Sequence, residues 1–385
     1  MARINEALSE IRAVGRKDPA LAAEGAVLFL EKISPAICDI DSSSGALGNA
    51  VYLAVETLVP ILVAAPVAVA VRAKWMDRLF DAMQDDDPPY IENLGEHWGE
   101  LCAGIELATH WADHLLSLLR HVMEDRSKGT YAYSNGTVPC CSALFAAGRH
   151  DELLKWLALD PRPHWQHAIW GARVLAARGQ VDEAIDYLRR HGGNYLPASV
   201  LARFAEEGLR KAGRWREAYQ QHAIAASQAS SRIATFRAIA ARYPELEPDR
   251  ILADLMASTP GDEGKWFATA KTLKRFDLAT RLAWHSPCDP KTLTRAARDH
   301  LADQPAFAVE VAVAALHWIS LGYGYDLMGL DVSEAYRYAR EAGERMGQLD
   351  RVEARLRKML ATGGPTTLWM QKVLGSVTIQ GERLR

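Results

Sequence analysis

The sequence is short of cysteine, of charge of one sign and of long apolar runs, and each shortage excludes a class of protein. Five cysteines occur in 385 residues: Cys38, Cys102, Cys140, Cys141 and Cys288. Their number is odd, their spacing wide, and no C-x-x-C pair is present, which argues against a disulfide framework or a cysteine-built zinc module. Inert, buried thiols in a reducing cytoplasm are expected instead. Lysine and arginine number 45 against 48 aspartates and glutamates, a net charge of −3, so the total gives no reason to expect nucleic acid. The opening Met-Ala-Arg-Ile-Asn-Glu-Ala-Leu lacks the apolar core and cleavage site of a signal peptide. The most apolar stretch, Leu58–Val71, is too short to cross a bilayer and carries Pro60 and Pro66, so broken core helices are expected and no membrane partner. A G-x-S-x-G nucleophile motif is missing, and so is any series of alternating β-branched strands.

What is present is ordinary for an ordered protein: 49% hydrophobic and 24% charged residues. Turn signals recur along the chain, for example at Asp41–Gly48, Ser127–Pro139, His191–Pro197 and Ser320–Gly329, and segments of helix length rich in Ala, Leu, Arg and Glu lie between them. The expected class is all-α. A single core does not grow to this length, so the chain is expected to hold an N-terminal helical lobe over 1–130 and a helical repeat region over 136–385. Helix starts are expected at Asp331 with Glu334, at Thr259-Pro260 and at Asp289-Pro290, where capping side chains precede a helix.

Three stretches align with one another: Gly148-Arg149-His150-Asp151-Glu152-Leu153, Gly179-Gln180-Val181-Asp182-Glu183-Ala184 and Gly213-Arg214-Trp215-Arg216-Glu217-Ala218. The glycines are 31 apart (148 to 179) and then 34 apart (179 to 213). Each glycine sits where one apolar helix reverses into the next. A fainter copy runs from Lys274 to Leu282, with Lys274 in the glycine slot and Ala279 in the place of Ala184 and Ala218.

With that period the chain resembles the tetratricopeptide family, whose repeat is about 34 residues. In the stretch Trp165–Pro197, Ala172, Leu175, Gly179, Ala184, Leu188 and Pro197 fall at or within one place of the family's structural positions. The resemblance covers about 135–225 well and 262–345 loosely. It implies an α-α superhelix, a solenoid of antiparallel helix pairs whose first helices line a groove for a protein or peptide. Ser258–Lys271 with Ser286–Asp299 is also similar to uncharacterised bacterial helical-repeat proteins, which brings no activity with it. The groove is expected to include Arg173, Arg203 and Glu207, with His164, His167 and Trp215 near its rim.

Two other features could carry chemistry. On a helix expected from about Glu96 to Met123, Leu101, Ile105, Ala108, Ala112, Leu115 and Leu119 form a core stripe. Glu106, His110, His114 and His121 fall opposite it, and residues four apart are neighbours, so zinc or another divalent metal is the alternative cofactor. The metalloprotease form of this motif needs glutamate where Trp111 stands. A ligand loop is expected at Gly322–Asp326, where Tyr323, Tyr325 and Asp326 stand among glycines. Gly264-Lys265 is not a phosphate loop, because Thr259 and Trp266 replace its glycine and hydroxyl residue. The leading expectation is a non-catalytic protein- or peptide-binding scaffold of bacterial cytoplasm, without cofactor. A metal-dependent enzyme or metal- or ligand-binding sensor built on the Glu106/His110/His114 ladder is the alternative.

Overall fold

The computed structural model of the chain describes residues 2–40, 45–130 and 133–383. Residues 41–44 of the expected loop Asp41–Gly48, and 131–132 of Ser127–Pro139, lie outside the described residues. The fold is all-α, with no strand among the described residues. The chain divides into two compact units, Met1–Ala218 and Tyr219–Arg385.

Unit 1 starts with α1 (Ala2–Gly15), α2 (Pro19–Ile37), α3 (Ala46–Ala64) and α4 (Val69–Gln84). A short 3-10 helix, Glu92–His97, leads into α5 (Trp98–Cys102), α6 (Ile105–Leu118) and α7 (Arg120–Ser127). Then come α8 (Thr137–Ala146), α9 (His150–Leu157), α10 (Trp165–Ala177), α11 (Val181–His191) and α12 (Ala198–Lys211), and α13 (Trp215–Ala226) carries the division between the units. Helix α3 is long and apolar enough to cross a membrane by length and composition. One face of it, with Val51, Ala54, Val55, Leu58 and Leu62, is fully buried in the core. The chain breaks at Pro66 between α3 and α4, where the buried Arg72 donates to the carbonyls of Leu62 and Ala65, each at 2.8 Å. A cation on the last carbonyls of a helix supplies the donors that the helix itself lacks there.

The core of unit 1 centres on Trp98, which is fully buried and edge-on to Trp111 with ring centroids 5.0 Å apart. Gly99 beside it has no room for a side chain, because an added Cβ would collide with the Ser142 carbonyl of α8. Its N–H donates to the Ser142 hydroxyl at 2.9 Å, and that hydroxyl donates to the Glu96 carbonyl at 3.0 Å. The 3-10 segment is thereby fixed to α8.

Unit 2 holds α14 (Arg232–Arg242), α15 (Pro248–Ala257), a 3-10 turn (Glu263–Trp266), α16 (Phe267–Thr272) and α17 (Phe276–His285). It continues through α18 (Pro290–Asp299), α19 (Pro305–Ser320), α20 (Gly329–Arg345), α21 (Leu349–Thr362) and α22 (Thr367–Arg383). Helix α19 is apolar and buried around most of its circumference, from Phe307 to Ser320, as expected of a helix enclosed by its neighbours. Those neighbours are α17, α18, α20 and α21.

The expected turns are present and share one geometry. Gly148, Gly179 and Gly213 have φ of 72°, 80° and 77°. Lys274 takes φ 58° in the same slot, and a fifth copy stands at Gly347 with φ 65°. In each turn the next residue donates its N–H to a carbonyl five back: Arg149 to Leu144, Gln180 to Leu175, Arg214 to Leu209, Arg275 to Ala270 and Gln348 to Gly343, all at 2.8–3.0 Å. That bond closes a Schellman-type cap. The residue after the turn then opens the following helix by accepting from Leu153, Ala184, Ala218, Ala279 or Val352, and these five are buried. Ion pairs join one turn to an earlier helix: Arg178 to Asp151 at 2.6 Å, Arg214 to Asp182 at 2.7 Å and Arg275 to Asp249 at 2.7 Å. Being exposed, each is screened by solvent and adds little to stability, acting mainly on register.

Three expected helix boundaries are corrected. Asp331 is the third residue of α20 and not its cap; its carboxylate accepts from the Met328 N–H at 2.7 Å. No helix starts at Thr259-Pro260, because the Thr259 hydroxyl is engaged by Trp266 Nε1 at 2.9 Å and donates to the Met256 carbonyl at 3.2 Å. The helix expected over 96–123 is interrupted at Ala103, whose φ is 51°, and again at Leu119. Asp289 does cap α18, accepting from the Thr292 N–H at 2.9 Å.

Two glycine substitutions separate these constraints. Gly179→Ala should lower stability by about 1 kcal/mol in urea unfolding, since an L side chain is disfavoured at its φ. Gly99→Ala should cost more, about 2–3 kcal/mol, because it overpacks the contact with α8. Equal midpoints for Gly179→Ala and wild type would contradict the shared turn geometry.

Candidate functional site

The expected groove residues Arg173, Arg203 and Glu207 bear on one patch of unit 1. Arg173 stands half-buried on α10, and Arg203 and Glu207 are exposed one turn apart on α12. The charges felt by Arg173 are, in order, those of Glu96, Glu100 and Glu207. Those felt by Glu96 are led by Arg173 and include His97, Glu56 and Arg203. Tyr52 of α3 completes the set, with Glu56, Glu96 and Arg203 around it. Sequence patterning had no way to reveal Glu96 of the 3-10 segment, Glu100 of α5, or Glu56 and Tyr52 of α3, because only the fold brings these separate elements within electrostatic range of α10 and α12.

Within this patch some charges are paired, and the half-buried Glu96 and Arg173 are not. His97 Nε2 lies 3.0 Å from Glu56 Oε1, and its Nδ1 lies 3.5 Å from Glu100 Oε2. Glu207 pairs with Lys211 at 2.7 Å. The half-buried carboxylate of Glu96 makes no hydrogen bond or ion pair among the described residues. Arg173 likewise makes none and rests its guanidinium over the Trp170 ring, 4.2 Å from the centroid. Desolvation raises the Glu96 carboxyl above its usual range and lowers the Arg173 guanidinium. Two opposite charges thus share one patch, partly stripped of water, yet further apart than the 4 Å of an ion pair. A bound group that carries both signs, or one sign beside a polar contact, can bridge them.

His164, His167 and Trp215 lie apart from this charge set. His164 caps α10, its Nδ1 accepting from the Gln166 N–H at 3.4 Å. His167 is half-buried, its Nδ1 without a hydrogen-bond partner among the described residues, and the charges that bear on it are Arg126 and His164. Trp215 is covered by the Arg216 guanidinium, 4.7 Å from its centroid.

The ladder is likewise placed without being gathered. Glu106, His110 and His114 are all exposed on α6, and His121 lies on the separate helix α7. Trp111 packs edge-on to His114 at 5.4 Å, and His121 lies 3.5 Å from Glu124 on its own helix. Among the described residues no group of three His, Cys, Asp or Glu side chains could hold a metal ion. The core stripe opposite is buried except Ile105, which is 68% exposed because the break at Ala103 shifts the helical phase. In the 322–326 loop, Tyr323 packs edge-on to Trp318 at 5.3 Å, Tyr325 is 85% exposed, and the Asp326 carbonyl accepts from Lys291 Nζ at 2.8 Å. Burial pushes the thiols of Cys102 and Cys288 up to about 12 and that of Cys140 well above its usual range, so these cysteines are poor nucleophiles.

His167 makes the acid response of unit 1 specific. Desolvation first, then Arg126 and His164, push it down to about 3. It is neutral when folded, whereas an unfolded histidine takes up its proton near 6.5. Below about pH 6.5 the unfolded state therefore binds the extra proton, and stability falls with pH by about 1.4 kcal/mol per unit until the folded group itself titrates. Between pH 7 and pH 5, wild type should lose about 2 kcal/mol more than His167→Gln; parallel unfolding curves would contradict the assignment.

Compared with protein-family models and with curated proteins, the chain matches none, so the functional reading rests on this geometry.

Proposed function

We propose that the chain is a non-catalytic scaffold of the tetratricopeptide-like, solenoid kind that binds a protein or peptide partner in the bacterial cytoplasm. Neither nucleic acid, membrane nor cofactor has a part in this reading. The recurrent turns support it, because equivalent turns present the first helices of successive pairs in the same sense. Arg173 on α10 and Arg203 and Glu207 on α12 belong to such first helices. The observation that carries it is the half-buried, unpaired couple of Glu96 and Arg173. Charges held partly out of water without partners reduce the stability of the free protein, and a partner's side chains would recover that loss on binding.

The patch offers adjacent binding points of both signs, with Tyr52 as an aromatic contact. It contains no nucleophile beside a base, and the unpaired charges serve recognition and orientation. Specificity would come from matching sign: a partner that presents like charge to Glu96 or Arg173 is rejected.

Affinity capture with the full chain tests the proposal. Wild type should recover a partner that is lost when Arg173 and Arg203 are both changed to Glu, and retained when the exposed Arg298 of unit 2 is changed to Glu. Glu96→Gln should weaken capture about tenfold while leaving the unfolding midpoint equal or higher, because a neutral side chain suits the half-buried position better. Recovery that is unaffected by charge reversal at 173 and 203 would overturn the proposal.

A further inference from the structure

A cleft of about 690 Å³ opens in unit 2 between α15, the α16–α17 turn and the start of α17. Neither the histidine ladder nor the 322–326 loop borders it. Three of its wall residues are basic: Lys274, Arg275 and Arg281. Arg275 is neutralised by Asp249 at 2.7 Å. The side chains of Lys274 and Arg281 make no ion pair or hydrogen bond among the described residues. The remaining acid on the wall is Asp277, in the first turn of α17, so three cations stand against two carboxylates. The cleft therefore has a positive surplus, beside half-buried apolar surface from Met256, Phe276 and Leu278.

Lys274 itself is anomalous. Four of the five equivalent turns have glycine at the positive-φ position, and this one has lysine at φ 58°. Its side chain is exposed and gains no packing for the strain. A residue held against its backbone preference with no structural return is a mark of use. The charged wall residues are all exposed, so a small molecule would not be enclosed as such ligands usually are. A polypeptide, which binds across open surface, would be accommodated.

We propose that this cleft binds an acidic stretch of polypeptide, with carboxylates on Lys274 and Arg281 and apolar side chains against Met256 and Phe276. The site belongs to unit 2 and does not depend on the reading of the Glu96–Arg173 patch, so either can fail alone.

The test is fluorescence anisotropy on the full chain, with a labelled peptide of alternating glutamate and leucine and its glutamine–leucine counterpart. The acidic peptide should bind at least about tenfold more tightly, with affinity falling as salt rises. Lys274→Gly should weaken it about fivefold, the loss expected for one exposed charge contact, while the thermal midpoint stays equal or rises. Arg281→Gln should weaken it similarly and serves as the second variant. Equal binding of the two peptides, or wild-type binding by the Lys274→Gly/Arg281→Gln double variant, would overturn the proposal. So would displacement of the acidic peptide by micromolar inorganic phosphate, since that marks a small-anion site.

Discussion

In each recurrent turn three residues join two helices, and the chain reverses at a residue of positive φ. There the last carbonyls of the first helix find donors and the second helix can begin at once. Gly148, Gly179, Gly213 and Gly347 meet this requirement at little cost, and Lys274 meets it under strain. Much else follows from the reversal. It brings Ala184, Ala218 and Ala279 to buried positions where a larger side chain would hold the helices apart. It also places Arg178, Arg214 and Arg275 within reach of aspartates on earlier helices. Because α10 and α12 each enter such a turn, Arg173 and Arg203 come to bear on a common patch.

That patch is completed from outside the repeat pattern. The 3-10 segment is fixed on α8 through Gly99, Ser142 and the Glu96 backbone, which delivers the Glu96 side chain to Arg173. Neighbouring charges at its edge are satisfied, as in His97 with Glu56 and Glu207 with Lys211. Glu96 and Arg173 are left unpaired and are the charges most deprived of water. A protein selected for stability alone would have closed that pair or replaced it with apolar groups, and the open arrangement is the physical basis for assigning a binding role.

The all-α class and three of the five turns were legible in the sequence, because glycine followed by an acidic first helical turn is a chemical signal as well as a spacing. Lys274 could be aligned only faintly, since its residue type conceals the backbone it adopts. Gly347-Gln348-Leu349-Asp350 carries the same signs but follows helices too unevenly spaced for a period to lead there. The break at Ala103 was hidden because an alanine at positive φ has no sequence mark, and Gly104 was its only hint. Of the proposed binding patch, the two arginines and Glu207 were expected from helical facing. Glu96 of the 3-10 segment could not, because its position depends on a glycine contact between distant parts of unit 1. The ladder shows the reverse case: perfect helical spacing produces an exposed face when no second element supplies a further ligand.

The titration of the Glu96 side-chain carboxyl, followed by carbon NMR in the full chain, bears most directly on the claim that this charge is held open for a partner. In the free protein it should titrate above the usual glutamate range, because desolvation outweighs the distant Arg173, and it should move down when a partner is bound. A Glu96 that titrates at or below the usual range in the free protein would mean that it is already paired, and would contradict the account.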